Sequence, residues 1–354
     1  MRILITGGCG FVGSNLAVLF KERYPSYQII CFDNLNRRGS ELNLKRLLNH
    51  SIEFVHGDIR QKADLQRVGQ VDLIIEAAAE PSVLAGAGGD IEYLIDTNLN
   101  GTINALYMAK LWNAGFVFLS TSRVYPYNQL EKINYTIGGT RFEIADNQTI
   151  AGLTKNGLTE AFPLEGVRSL YGATKLSSEY LIQEFCKNFG LNAVINRCGV
   201  LTGPYQMGKI DQGVVVLWMA RHYWKGNLGY IGFGGEGLQV RDMLHVKDLF
   251  ELVDYQVKNL KQYTGDILNV GGSTEVSVSL KELTTWCEKI TGNAININKV
   301  SENRPADIPI YLTDNTKVSA ATGWKPTIGT EQILTEIFQW IKENESDLRP
   351  ILAN

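Results

Sequence analysis

The chain has 354 residues, 44% of them hydrophobic and 20% charged, with a formal net charge of −3. Acidic and basic residues are interspersed, so we expect no binding to nucleic acid or to a membrane surface. No apolar run reaches the ~20 residues of a membrane span, and the first apolar run leaves no room for a signal peptide. We therefore expect a cytoplasmic protein. The five cysteines stand singly, without a CxxC pair or metal-ligand spacing, which predicts buried thiols and no metal site.

The first element is a short apolar strand, Ile3–Ile5, which ends in a cluster of glycines. Gly7, Gly10 and Gly13 follow at three-residue spacing, and an amphipathic stretch begins at Asn15. This order predicts a strand, a tight turn and a helix whose first N–H groups point at an anion, typically a pyrophosphate. An ordinary strand-to-helix turn could show the same pattern, so its context has to decide.

The second apolar run, Tyr27–Phe32, supplies that context because it ends in Asp33, twenty positions after Gly13. A carboxylate there can accept hydrogen bonds from both ribose hydroxyls of a dinucleotide. It also repels a 2′-phosphate, so the sequence favours NAD over NADP. Arg37 and Arg38 are close in sequence and could hold that phosphate, which leaves NADP as the alternative.

Two further apolar runs, Ile52–Val55 and Val71–Ile75, continue the series of predicted strands. The first leads to Asp58, which is placed to touch the adenine edge, although a simple turn aspartate explains it nearly as well. The second leads into Ala77 and Ala78, small residues that leave room for a cofactor along the strand ends.

Alternating β and α patterns continue to about residue 200, which predicts an α/β fold with a parallel, doubly wound sheet. Helices are expected near Leu99–Asn113 and Gly172–Asn188, next to strands at Phe116–Ser120 and Asn192–Arg197. The later segment Asp266–Val270 resembles one more buried strand that returns to the main sheet.

Two interwoven domains follow from this pattern. We predict a cofactor-binding domain over residues 1–200, to which part of 236–272 returns, and a smaller C-terminal α/β lobe over residues 201–354 that binds the substrate.

The chemistry is expected between residues 119 and 175. Hydroxyl side chains of the segment Leu119–Tyr125 follow a strand and so project at the carboxyl edge of the sheet. Tyr171 and Lys175 are four positions apart on a predicted helix and share one face, where the ammonium can stabilise a tyrosine phenolate. Alone, such a pair is common on helix surfaces. Together with the dinucleotide turn it predicts a base that takes a hydroxyl proton while hydride leaves for a nicotinamide, with Thr121 orienting the same oxygen.

These motifs, together with the segment Asn98–Thr102, resemble the extended short-chain dehydrogenase/reductase superfamily, which includes nucleotide-sugar epimerases, dehydratases and decarboxylases. The resemblance covers nearly the whole chain and implies a Rossmann-type fold, tightly bound NAD regenerated in each turnover, a nucleotide-diphosphate sugar as substrate, and a homodimer formed through two helices of each subunit. It implies that Thr121, Tyr171 and Lys175 are the catalytic residues. The implied cofactor site consists of these last two residues and of Gly7, Gly10, Phe11, Val12, Gly13, Asp33, Asn34, Asp58, Ile59, Ala77, Ala78 and Asn98.

Within the superfamily the chain is most similar to the CDP-paratose/CDP-tyvelose 2-epimerases, through the segments Phe32–Gly39, Phe54–Arg60 and Asp211–Gly213 and the long region between Tyr125 and Tyr171. This similarity implies epimerisation at C2 of a CDP-hexose for lipopolysaccharide or O-antigen synthesis. The implied substrate residues are Glu80, Ser122, Arg123, Asp211, Gln212, Arg241 and Arg304, with the two last guanidinium groups on the diphosphate.

Other activities of the same scaffold stay open. A C4-epimerase would use the same residues, and Arg123 keeps a uronic-acid decarboxylase possible because that enzyme must bind a carboxylate. A dehydratase generally has an Asp–Glu pair after the threonine, where this chain has Ser122 and Arg123. A regulator that only senses NAD(H) would need neither Tyr171 nor Lys175. The chain also departs from similar epimerases at Glu76, where they often have histidine.

Overall fold

The structure is a computed structural model and describes residues 1–83, 85, 90–208 and 212–353. The strands are, in chain order, β1 (Arg2–Thr6), β2 (Gln28–Asp33), β3 (Glu53–His56), β4 (Leu73–Glu76), β5 (Gly115–Thr121), β6 (Tyr135–Ile137), β7 (Phe142–Ile144), β8 (Leu153–Thr154), β9 (Gly157–Leu158), β10 (Ala193–Cys198), β11 (Val200–Thr202), β12 (Leu228–Ile231), β13 (Val240–His245), β14 (Thr264–Val270), β15 (Ser277–Ser279), β16 (Ile297–Val300) and β17 (Ile310–Tyr311). The helices are α1 (Phe11–Arg23), α2 (Asn43–Asn49), α3 (Lys62–Gln66), α4 (Ile91–Ile95), α5 (Gly101–Trp112), α6 (Tyr127–Leu130), α7 (Leu170–Phe189), α8 (Val214–Tyr223), α9 (Val246–Lys258), α10 (Leu280–Thr291), α11 (Thr316–Thr322), α12 (Thr330–Glu343) and α13 (Glu345–Leu352). A π-helical turn, Asp96–Asn100, joins α4 to α5.

Seven strands form the main sheet in the order β14–β10–β5–β4–β1–β2–β3. The pairings of β1 with β2 and β4, of β2 with β3, and of β4 with β5 are parallel. The strand order reverses at β1 and β4, and the crevice beyond the carboxyl ends at such a point is where ligands bind in doubly wound sheets. The predicted α/β fold is therefore confirmed, and the predicted strand near residues 266–270 joins this sheet at its edge.

The central strands are buried and mostly apolar, as expected for a parallel sheet with helices on both faces. All four residues of β4 are buried, and so are Ile3 and Ile5 of β1. On one face, Phe116 of β5 belongs to a single hydrophobic cluster with Ala105 of α5 and Ile182 of α7. This packing fixes α5 and α7 against the strands that carry the candidate site.

The chain divides into two compact units, each of which is built from three separate segments of the sequence. The first consists of Met1–Val124, Ser169–Arg197 and Leu249–Leu268, and the second consists of Tyr125–Arg168, Cys198–Asp248 and Asn269–Asn354. This division differs from the predicted one in residues 125–168, which belong to the second unit, and the second unit is as large as the first rather than smaller. Of the predicted returning segment 236–272, residues 249–268 lie in the first unit.

Residues 125–168 join the second unit because they form only short antiparallel pairs, β6 with β7 and β8 with β9, which cannot bury a core of their own. Their backbone instead bonds to segments of the second unit. The Phe142 N–H donates to the Leu238 carbonyl at 2.9 Å, and the Leu158 N–H donates to the Leu312 carbonyl at 2.8 Å.

The second unit is built on β13, which pairs in parallel with β11 and β17 and antiparallel with β15. Its main hydrophobic cluster includes Val216 of α8, Leu283 of α10 and Ile337 of α12. A separate parallel pair is formed by β12 and β16.

All five cysteines are buried free thiols, as predicted. Among the described residues, no helix is long and apolar enough to cross a membrane. Within the same residues, no group of three or more His, Cys, Asp and Glu side chains is arranged to hold a metal ion.

Candidate active site

The glycine turn after β1 is closed so tightly that side chains are excluded from it. Gly7 has a φ of +63°, and a Cβ atom there would lie 2.8 Å from the backbone of Ala77 and Ala78. A Cβ atom on Gly13 would lie 2.2 Å from the Gly7 carbonyl oxygen. The turn therefore needs glycine at both positions to bring the start of α1 next to the segment that follows β4.

The first turn of α1 begins at the predicted position, directly after the glycine turn. Its N-cap residue, Gly10, places no side chain over the helix end, and the Gly10 N–H itself donates to the Gly7 carbonyl at 3.0 Å. The first-turn N–H groups, which include those of Phe11 and Val12, have no helical acceptor and carry the positive end of the helix dipole. A cradle of glycines around such a helix end fits the pyrophosphate of a dinucleotide.

Asp33 is held beside this turn at the end of β2. Its Oδ2 atom accepts a hydrogen bond from the Cys9 N–H at 3.0 Å, and its Oδ1 atom accepts one from the Leu35 N–H at 2.8 Å. Burial raises the pKa of the Asp33 carboxyl, and these N–H donors oppose that effect. The carboxylate is thereby fixed where an NAD ribose is expected.

Asp58 follows the carboxyl end of β3, at the same edge of the sheet as Asp33. Its Oδ2 atom accepts hydrogen bonds from Asn34 Nδ2 at 3.1 Å and from Arg60 Nη2 at 2.7 Å. Burial raises the pKa of this carboxyl, but the bonds from Arg60 and Asn34 outweigh it and lower the pKa to about 2. Asp58 is therefore ionised, and Ile59 beside it is buried.

Asn98, a predicted cofactor residue, lies in the π-helical turn and is fully buried. Its side-chain oxygen accepts from the Glu80 N–H at 2.8 Å, and its side-chain nitrogen donates to the Glu80 carbonyl at 3.0 Å. The amide thus holds the chain after β4 in place. The Glu80 carboxylate accepts from the Ser82 N–H at 3.1 Å, which fixes the local turn.

Thr121 is the last residue of β5, as its predicted position at the strand end requires. Its Oγ1 atom accepts a hydrogen bond from the Arg123 N–H at 3.2 Å. Ser122 and Arg123 lie in a 3₁₀ turn and are half-buried. Helix α7 packs against both β5 and this turn.

Tyr171 and Lys175 lie one turn apart at the start of α7, which Ser169 caps by accepting the Gly172 N–H at 3.2 Å. Tyr171 is half-buried. Lys175 is only 2% exposed, and its Nζ atom lies 4.0 Å from the centroid of the Phe118 ring. Because the Lys175 ammonium is buried, the alternative of a solvated surface pair is excluded.

A buried ion pair one turn further along α7 was not foreseen from the sequence. Glu179 Oε2 lies 2.7 Å from Arg197 Nη2, and Glu179 Oε1 accepts a hydrogen bond from the Ser120 hydroxyl at 2.5 Å. The sequence did contain one signal for Glu179. It stands four positions after Lys175 on the predicted helix, so both side chains lie on the same helix face.

Glu76, at the end of β4, is a second buried carboxyl group near Lys175. Its Oε1 atom accepts a hydrogen bond from the Thr102 hydroxyl at 2.5 Å. Burial raises the pKa of Glu76 to about 7, and the positive charge of Lys175 and the Thr102 hydrogen bond oppose this. The sequence marked this position only as a departure from similar epimerases.

The predicted substrate residues of the second unit are partly placed. The Arg241 guanidinium donates to Asp307 Oδ1 at 3.0 Å and to the Ile308 carbonyl at 2.7 Å, so it forms an ion pair with the Asp307 carboxylate. Arg304 is half-buried three residues before Asp307, whose N–H donates to the Arg304 carbonyl at 3.2 Å. Gln212 is half-buried, and Asp211 lies outside the described residues.

A family model described as "NAD dependent epimerase/dehydratase family" matches residues 3–271 of the chain, which include the glycine turn, Asp33, Thr121, Tyr171 and Lys175. The chain belongs to this family. The prediction of an NAD-dependent enzyme of the epimerase/dehydratase type is therefore confirmed, and NAD rather than NADP is its cofactor.

Individual family members are similar over nearly their whole length. The chain is 30% identical to the CDP-paratose 2-epimerase of Salmonella typhi over 352 residues, covering 96% of this chain and 99% of that protein. It is 27% identical to the dTDP-glucose 4,6-dehydratase of Salmonella typhimurium, covering 97% and 93%. Among solved structures, the dTDP-glucose 4,6-dehydratase of Bacillus anthracis in complex with NAD has a TM-score of 0.78 and 27% identity, covering 99% of both chains.

Proposed function

We propose that the protein is a nucleotide-sugar 2-epimerase that acts on a CDP-hexose of the paratose/tyvelose type. The proposed substrate and the proposed inversion at C2 rest on the similarity to a CDP-paratose 2-epimerase over 99% of that protein. The chemistry is supported by the buried Lys175 one turn after Tyr171 and by Thr121 at the end of β5.

The residues that would hold NAD belong to the first unit. The glycine turn and the start of α1 would bind the pyrophosphate, Asp33 the adenosine ribose, and Asp58 with Ile59 the adenine. When bound, NAD supplies an acceptor and donor of hydride at the sugar carbon.

Proton transfer is the part that the chain's own residues perform. Tyr171 as phenolate takes the proton of the sugar hydroxyl while the carbon loses hydride, which leaves a planar ketone. When hydride returns to the opposite face, Tyr171 gives the proton back to the oxygen and the configuration is inverted. Thr121 holds the same oxygen by a hydrogen bond, and the Lys175 ammonium favours the phenolate.

Seven residues are proposed for substrate recognition. Glu80, Ser122 and Arg123 would contact the sugar. Arg241 and Arg304 would bind the diphosphate, and the Asp307 carboxylate holds the Arg241 guanidinium in a fixed orientation. Asp211 and Gln212 are proposed to lie near the sugar or the base.

The test is proton NMR of the purified protein with CDP-paratose in deuterated water and no added NAD, alongside UDP- and GDP-hexoses. We expect a C2 epimer that carries no solvent deuterium, because the hydride stays within the enzyme. Tyr171→Phe should abolish turnover, and Tyr135→Phe, at an exposed tyrosine on β6, should keep it. A C4 epimer, a pentose or a 4-keto-6-deoxy sugar as product would replace the 2-epimerase assignment.

We also propose a homodimer formed through α5 and α7. Large hydrophobic side chains on these two packed helices are exposed, namely Tyr107, Leu111, Tyr180 and Phe189, with 48%, 66%, 53% and 52% of their surface accessible. Exposed apolar side chains gathered on neighbouring helices are typical of protein–protein contacts. The five free thiols support the proposal that the protein works in the reducing cytoplasm.

A further inference from the structure

Glu76 occupies a position from which it can act on the catalytic lysine. It ends β4, is fully buried, and is paired in register with Phe118 of β5. Side chains of paired residues on neighbouring parallel strands point to the same face of a sheet. The Lys175 ammonium lies over the Phe118 ring at 4.0 Å, so Glu76 and Lys175 share that face.

The groups around Glu76 can be named element by element. From β1 its partner in register is Thr6, and from α5 the Thr102 hydroxyl donates to Oε1 at 2.5 Å. Within the described part of the chain, the other oxygen, Oε2, is buried without a hydrogen-bond partner. From α7 the charge that acts on Glu76 is that of Lys175.

Glu179, a buried carboxylate on α7, does not compete for Lys175 in the same way. Glu179 is already bound by the Arg197 guanidinium at 2.7 Å and by the Ser120 hydroxyl. Among the described residues, the hydrogen-bond donor to the Glu76 carboxyl group is the neutral Thr102 hydroxyl, and no guanidinium pairs with it. The positive charge that favours its ionised form is that of Lys175.

We propose that Glu76 is a positioning residue of the proton-transfer site, a buried carboxyl group that shares the single Lys175 ammonium with the Tyr171 phenol. The inference rests on the proposed role of Tyr171 as base. Two acids that share one cation titrate against each other, since ionisation of either reduces the stabilisation left for the other. Neutral Glu76 leaves the full field of Lys175 to Tyr171, and ionised Glu76 takes part of it away.

The test is a spectroscopic titration of the purified protein with its bound NAD. In the wild-type background, the absorbance of the Tyr171 phenolate is the difference between the wild type and Tyr171→Phe. In the Glu76→Gln background, it is the difference between Glu76→Gln and the double variant that also carries Tyr171→Phe. Removing the competing carboxylate should move Tyr171 ionisation to lower pH by about one unit and make it steeper. The acid limb of the kcat profile should move with it, while KM stays unchanged. Glu53→Gln, which removes an exposed carboxylate from β3 of the same sheet, should change neither.

Thr102→Val gives a second variant in which the carboxyl group is kept. Loss of the hydrogen bond to ionised Glu76 keeps Glu76 protonated to higher pH, so Tyr171 ionisation should shift part of the way in the same direction. Glu76→Asp should keep the wild-type behaviour more closely than Glu76→Gln. These variants carry the test if Glu76→Gln fails to fold.

The outcomes separate this inference from the proposed function. Identical Tyr171 titrations in the wild type and the folded Glu76→Gln protein would overturn the inference, and so would a shift to higher pH, which would mean that Glu76 serves to keep Lys175 protonated. If Tyr171 in the wild type ionises only near pH ~10, like a free tyrosine, the proposed base is wrong instead.

Discussion

The guanidinium of Arg197 and the carboxylate of Glu179 form a 2.7 Å ion pair whose side chains are 2% and 0% exposed. Glu179 lies one turn after Lys175 on α7 and also accepts the hydroxyl of Ser120, the residue before Thr121. The pair therefore ties the helix that carries Tyr171 and Lys175 to the strand end that carries Thr121.

Arg197→Met should destabilise the protein by about 3–5 kcal/mol, because it leaves the Glu179 carboxylate buried without its counter-charge. Urea unfolding monitored by fluorescence measures the change. Glu331→Gln, which breaks the exposed Lys289–Glu331 pair, is the matched control and should cost less than ~1 kcal/mol. Equal effects of the two substitutions would show that burial of the pair is unimportant.

Gly13→Ala should disrupt the dinucleotide turn, since its Cβ atom would meet the Gly7 carbonyl oxygen at 2.2 Å. We expect a loss of about 1–3 kcal/mol in stability and loss of the bound NAD, measured by the thermal midpoint and by the absorbance of released cofactor. Gly329→Ala, at a glycine with nothing within 4 Å of the added carbon, should alter neither. Full NAD content in Gly13→Ala would contradict the assigned cradle.

Glu76→Gln should change the pH dependence of stability in a defined direction. The pKa of Glu76 is about 7 in the folded protein against 4.5 as its ordinary value, so the folded state binds this proton more tightly than the unfolded chain. The wild type therefore loses stability as pH rises from 4.5 to about 7, and the variant lacks this loss.

The difference in the free energy of unfolding between Glu76→Gln and the wild type is expected to grow with pH. The free energy of unfolding of Glu76→Gln, minus that of the wild type, should rise by up to about 3 kcal/mol across this window and stay constant on either side. Urea unfolding at a series of pH values measures it. A difference that does not vary with pH would show that Glu76 has an ordinary pKa.

Leu111→Glu should dissociate the proposed homodimer, because a charge would be buried at the centre of the α5–α7 surface. Sedimentation velocity of the wild type is expected to show a dimer, and the variant a monomer. Leu48→Glu on α2, where Leu48 is 63% exposed, serves as the control and should remain dimeric. A monomeric wild type would refute this interface.

Much of the cofactor site could be predicted because its signals are local. Gly7 and Gly13 are required by a turn only a few residues long, and Asp33 follows directly after its strand. The four-residue spacing of Tyr171 and Lys175 is a property of one helix. Residues 125–168 were assigned to the wrong unit because short hairpins carry no periodic signal that says which core they cover.

The sequence by itself determined the seven strands of the main sheet, the glycine turn and the residue types of the candidate proton-transfer site, because each depends on neighbours within a turn or a strand. Only the tertiary structure decided which polar side chains from distant segments meet. Glu76 reaches Thr102 across 26 positions and Arg241 reaches Asp307 across 66, and such pairs depend on how distant segments pack. The same packing buries both Glu76 and Lys175.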